Sequence, residues 1–151
     1  MKKQVLSVIA GTRTDDSEVQ EQVVVEHLRG PVYRITQSPG LVQGVAAGDE
    51  VEVRNGRLEV VRRGGNLCVW IFAKENLAQI ENSLNAELRS LGGASRRPRP
   101  MGTGVHGSRS GRVRSAGGCV ESPGRCDPRG QWYFGNVYDP RDGVTPLDWW
   151  L

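Results

Sequence analysis

The chain has 151 residues, room for one ordinary domain and too few for two comfortable ones. Apolar residues make up 37% of it, and no run of about 18 of them occurs, which excludes a membrane-spanning helix. The net charge of +3 hides an asymmetry: residues 94–126 carry seven Arg against one acid, Glu121, for +6, and the rest carries 13 basic and 16 acidic residues, for −3.

Lys2-Lys3 ahead of Val5–Ala10 superficially resembles an export signal. The apolar run is short and Thr12–Asp16 follows at once, so residues 4–10 are expected to form a first strand. Residues 11–20 are polar and turn-like. Val23–Leu28 is a β-branched run broken by Arg29-Gly30-Pro31, and Val32–Ile35 predicts another strand before the turn at Ser38-Pro39-Gly40. Glu50–Arg54 alternates strictly, with Val51 and Val53 on one face and charges on the other. Asn55-Gly56 suits the positive φ angles of a type I′ turn, so Arg57–Arg62 should return as a hairpin. Leu67–Ala73 is nearly all apolar, the pattern of a central strand covered on both faces.

Leu77, Ile80, Leu84, Leu88 and Leu91 recur at steps of three and four. This predicts an amphipathic helix over 75–91, packed on a sheet and closed by Gly92-Gly93. Residues 94–130 contain no Leu, Ile, Phe, Tyr or Trp. Such a stretch buries too little apolar surface to offset about 1–2 kcal/mol per residue of lost backbone freedom, so a disordered insert is predicted. Its Arg, Gly, Ser, Pro and Ala are also what a GC-rich gene yields out of frame. One set of codons permitted for His106–Cys126, read one base later, spells a strand and an amphipathic helix, which fits two compensating frameshifts. Six of the nine aromatic residues lie in the last twenty positions: Trp132, Tyr133, Phe134, Tyr138, Trp149 and Trp150. So much aromatic surface has to be covered by something.

The fold expected is therefore α+β: a mostly antiparallel sheet with one amphipathic helix on it, with room for a barrel-like front half and a β-α rear half. Residues 1–93 would be sheet plus helix, 94–130 the insert, and 131–151 a Trp-rich closing segment of the same domain.

Chemistry-bearing patterns are sparse. His27 beside Glu26 has the side chain of a base or metal ligand, yet His106, its one companion, lies in the insert. Cys119 and Cys126 are separated by six residues, wider than zinc-knuckle spacing, and Cys68 reads as a small buried apolar residue. An odd cysteine count without a compact framework fits a reducing, cytoplasmic compartment. No glycine-rich piece precedes a Lys-Ser/Thr pair, and no Gly-x-Ser-x-Gly occurs. Neither cofactor nor metal is expected. Asp15, Asp16, Glu18 and Glu21 read as a solvated loop, and Asp139, Asp142 and Asp148 as turn residues bonding nearby amides.

Val25-Glu26-His27-Leu28, Tyr33-Arg34-Ile35 with Ser38-Pro39, Gly44–Val51 and Arg63-Gly64-Gly65-Asn66 together resemble an uncharacterised bacterial family of small proteins, a domain of unknown function. The likeness covers residues 24–72, and the ending from Trp132 to Trp150 is similar to that of some relatives. The chain lacks the Trp near His27 and the aromatic pair after Pro39 that the family usually has. The resemblance implies a fold and no activity, substrate or catalytic residue.

The reading is a non-catalytic binding or regulatory module for a protein or small ligand, with no membrane role. Its contact residues would be Trp132, Tyr133, Trp149 and Trp150. The alternatives are nucleic-acid binding through Arg96, Arg97, Arg99, Arg109, Arg112 and Arg114 of the insert, and an enzyme whose site the sequence does not reveal.

Overall fold

The computed structural model describes residues 2–73, 82, 85, 89, 90, 92, 93, 104–109 and 130–149. Among them, five strands form one antiparallel sheet in chain order: β1 (Lys3–Thr12), β2 (Glu18–Arg29), β3 (Val32–Ile35), β4 (Glu50–Arg54) and β5 (Arg57–Arg62). A second sheet has β6 (Asn66–Ala73) at its centre, between β7 (Gly104–Arg109) and β8 (Gly130–Phe134), again antiparallel.

The α+β expectation is overturned. The described residues build two antiparallel sheets, and no helical element stands among them. Of the 75–91 stretch only Asn82, Asn85, Arg89 and Ser90 are described; these scattered positions have helical backbone but constitute no element, and the leucine stripe lies outside the described residues. The strand content of residues 4–73 also divides. After β5 the chain leaves the first sheet, and β6 founds the second.

β7 falls inside the stretch expected to lack order. It pairs with β6 from Asn66↔Arg109 to Ile71↔Gly104. A sheet edge offers backbone donors and acceptors to any extended segment, so a partner strand needs no apolar side chains to pair there. Gly130, the last residue of the insert, opens β8, and the rest of the insert lies outside the described residues.

The hairpin turn is as its sequence demands. Asn55 and Gly56 have φ of 50° and 74°, and Arg54 pairs with Arg57 across them. Beyond the turn, the Gly56 carbonyl accepts a hydrogen bond from the Ile9 amide at 2.7 Å. The first sheet therefore curls until β5 reaches β1.

One face of that curled sheet carries the main core: Val8, Val23, Val25, Ile35 and Val51, closed by Val42 and Val45 from the long β3–β4 loop. Each fully buried Val is worth about 1.5–3 kcal/mol of apolar transfer. Glu21 keeps the loop in place. Its carboxylate accepts the amides of Gly40, Leu41 and Val42 at 2.6, 2.9 and 3.0 Å. This acid was expected in a solvated loop; instead it caps backbone over the core.

The β3–β4 loop also joins the two sheets. Trp70 of β6 donates its Nε1–H to the Pro39 carbonyl at 3.0 Å, and Asn66 donates to the Ala47 carbonyl at 2.7 Å. Ala46 packs with Cys68 and Trp70 in a smaller second core.

Candidate binding face

The other face of the first sheet is charged, and its order follows from register. Residues directly opposed on neighbouring strands project to the same side. Lys3 opposes Glu26, Glu26 opposes Arg34, Arg34 opposes Glu50, and Glu50 opposes Arg62. One residue from each of the five strands thus forms a row of alternating sign. The core residues Val25, Ile35 and Val51 sit one position along and point the opposite way.

Glu50 is the centre of the row. Its side chain is only 3% exposed although it lies on the outer face. Arg62 Nη2 and Arg34 Nη2 approach Oε1, the latter at 3.6 Å, and Arg29 Nη2 approaches Oε2 at 3.4 Å. Arg29 reaches it because a bulge between His27 and Arg29 shifts the end of β2. The Arg62 hydrogen bond, reinforced by the Arg29 charge and Arg34, holds the Glu50 carboxyl down at about 2, against an ordinary 4.5. Farther along, Glu52 and Glu59 face each other directly, a repulsive pair that Arg54 bridges at 2.9 and 3.4 Å.

A second polar cluster lies at the junction of the sheets. Asp49 is buried and accepts the amides of Gly64 (2.7 Å) and Ala46 (3.0 Å) and Arg63 Nη1 (3.2 Å). Burial pushes its carboxyl above the ordinary value, against these donors. Arg63 also donates to the Gly44 carbonyl at 2.6 Å and lies 5.9 Å from the centroid of the Trp149 ring. Trp149 in turn donates Nε1–H to the Asn136 carbonyl at 2.6 Å. Asn136, fully buried, accepts from the Cys68 amide and donates to the Asn66 carbonyl, both at 2.8 Å. Its side chain continues the β6–β8 ladder after the β8 backbone has turned away.

The aromatic residues expected to make contacts are thereby distributed. Tyr133 opposes Trp70 in register and is half exposed. Trp149 is half-buried against Arg63 and the Asn136 backbone, a stitch in the closing segment. Trp132 opposes Ile71 in β8 and its side chain lies outside the described residues, as does Trp150 altogether. His27 donates Nε2–H to the Gly30 carbonyl at 2.8 Å and meets Tyr33 edge-on, a local turn contact. Cys68 is a buried free cysteine whose thiol burial pushes to about 12, far from nucleophilic. Among the described residues no three His, Cys, Asp or Glu side chains come together as a metal site. Asp139 and Asp142 bond the backbone amides of Arg141, Val144 and Thr145.

Sequence reasoning missed Glu50 and its three arginines. The strict alternation of Glu50–Arg54 did announce a charged face. Which charges meet across strands depends on register, and on a bulge between Glu50 and Val51 that no local pattern marks.

Residues 21–103, more than half the chain, match the family described as a domain of unknown function, DUF4265. The chain belongs to the DUF4265 family. A hypothetical protein from Neisseria gonorrhoeae, solved as a novel crystal structure, is similar to this DUF4265 member with a TM-score of 0.66 and 14% sequence identity, over 89% of this chain and 95% of that one. At that identity the likeness speaks for the fold alone. No curated protein matches the chain. Among the described residues no helix is long and apolar enough to cross a membrane.

Proposed function

We propose that this DUF4265 member is a non-catalytic binding module, acting in the cytoplasm, that presents the outer face of its five-stranded sheet to a protein partner. The observation that carries the reading is the row Lys3–Glu26–Arg34–Glu50–Arg62. It takes one residue from each strand and alternates in sign across the whole sheet. A sheet face is rigid, and alternating charge fixes the orientation of a partner and rejects mismatched ones more than it adds raw affinity. A cytoplasmic address agrees with the reduced Cys68.

The test is partner capture by the intact chain and by the double variant Lys3→Glu/Arg62→Gln, with amide NMR spectra compared to establish that the fold is kept. The reading expects a saturable partner that the variant loses. A partner retained at equal affinity would overturn it. A second reading, nucleic-acid binding, is favoured by the +6 charge of residues 94–126. It expects affinity that falls steeply with salt and vanishes when that stretch is deleted.

A further inference from the structure

Glu50 gathers three guanidinium groups and does not use them up. Arg29, Arg34 and Arg62 each spend one terminal nitrogen, Nη2, on its carboxylate. A guanidinium has five N–H donors, so most of the donors of the trio remain for another acceptor. Exposure separates the two signs. The Glu50 side chain is 3% exposed, whereas those of Arg29, Arg34 and Arg62 are 70%, 37% and 64% exposed. The carboxylate is a buried anchor, and the guanidinium groups form the surface above it.

The charge does not balance. Among the described residues, the three cations form ion pairs with this one carboxylate, which leaves two positive charges, and Glu26 stands between Lys3 and Arg34 in the row. Among the described residues no other carboxylate forms an ion pair with any of the three. All three terminal nitrogens approach one carboxylate, so the two uncompensated charges are concentrated within the reach of a single small group. Two carboxylates of an acidic segment would have to come from separate residues, and a phosphodiester brings one charge. A phosphate monoester brings about two charges at neutral pH, on one tetrahedral group with three acceptor oxygens, and arginine matches those oxygens bidentately.

Resting on the reading that this face is the contact surface, we propose that Arg29, Arg34 and Arg62 form a docking site for a phosphate monoester, with Glu50 as the positioning residue that holds the trio together. The group could be borne by a phosphorylated side chain of a partner or by a small phosphate ester, and the experiment separates the two.

The experiment is an NMR titration of the arginine Nε–Hε signals of the full chain. The probes are a short phosphoserine peptide and glycerol phosphate, with dimethyl phosphate and succinate as controls. Saturable shifts of Arg29, Arg34 and Arg62 with the monoesters are expected, and tighter binding of one probe identifies the source. Arg62→Gln should weaken binding about tenfold, the order of one lost charge-assisted contact. Arg57→Gln, which removes the same charge at the other end of β5, should leave it within about twofold. Absence of saturation, equal binding of the diester or of succinate, or equal weakening by Arg57→Gln would each overturn the proposal. A partner still captured through this face, with no response to either monoester, would refute the ligand class alone and leave the binding reading standing.

Discussion

At the scale of single residues, Glu50 and Asn136 show how little of their importance resides in residue type. Glu50 is an outer-face strand residue that register places beneath three arginines. Because those contacts hold its folded-state carboxyl near 2, below the ordinary 4.5, the stability it confers is present above about pH 4.5 and lost as the pH falls toward 2. Urea titrations of the wild type from pH 6 to pH 2 should show that loss. Glu50→Gln, already deprived of the charge and left with three mutually repelling guanidinium groups, should be less stable at pH 6 and show a shallower decline. Parallel declines would contradict the assignment. Asn136→Ala strips partners from the buried Cys68 amide and Asn66 carbonyl. An unsatisfied buried group costs about 1–3 kcal/mol. A loss of that size or larger is expected in the chemical denaturation midpoint, together with faster hydrogen exchange at Cys68.

At the scale of elements, the strands were legible and their company was not. The Asn55-Gly56 hairpin, the alternation of Glu50–Arg54 and the apolar run of β6 are local patterns, and each appears where its residues place it. Their grouping into two sheets depends on long-range contacts that periodicity does not encode. One is the clamp from Asp49 to the Gly64 amide; another is the close backbone approach at Gly64 itself. A Cβ on Gly64 would lie 2.2 Å from the carbonyl carbon of Gly48 and 2.4 Å from its oxygen, both backbone atoms unable to step aside. Gly64→Ala should therefore destabilise the chain by about 1–3 kcal/mol or more, as overpacking does. Ile35→Ala, which empties a fully buried site of the main core, should cost about 2–5 kcal/mol. Thermal unfolding of both variants checks the pair. The tail aromatics were legible as a cluster needing cover. That Trp149 would meet Arg63 was not, because nothing local links positions 63 and 149.

At the scale of the whole molecule, one curled sheet buries its concave chemistry in valines and turns a ladder of charge outward, while the second sheet and closing segment are bound to it through the β3–β4 loop. The family match ends at residue 103, inside the Arg/Gly-rich stretch. The expectation of two compensating frameshifts predicts a shifted frame open across the codons for residues 106–126; a stop codon in that frame would dismiss it. The claim on which the functional account turns is that the outer face of the first sheet, and not the aromatic tail, meets the partner. Photo-crosslinking in the protein's own cells tests it most directly, with the reactive residue placed at Val5 or Gln22 on the outer face, or at Tyr138 or Val144 in the closing segment. The account predicts a discrete adduct from Val5 and Gln22 and none from the other two. Adducts from Tyr138 and Val144 alone would contradict it and return the contact to the aromatic end of the chain.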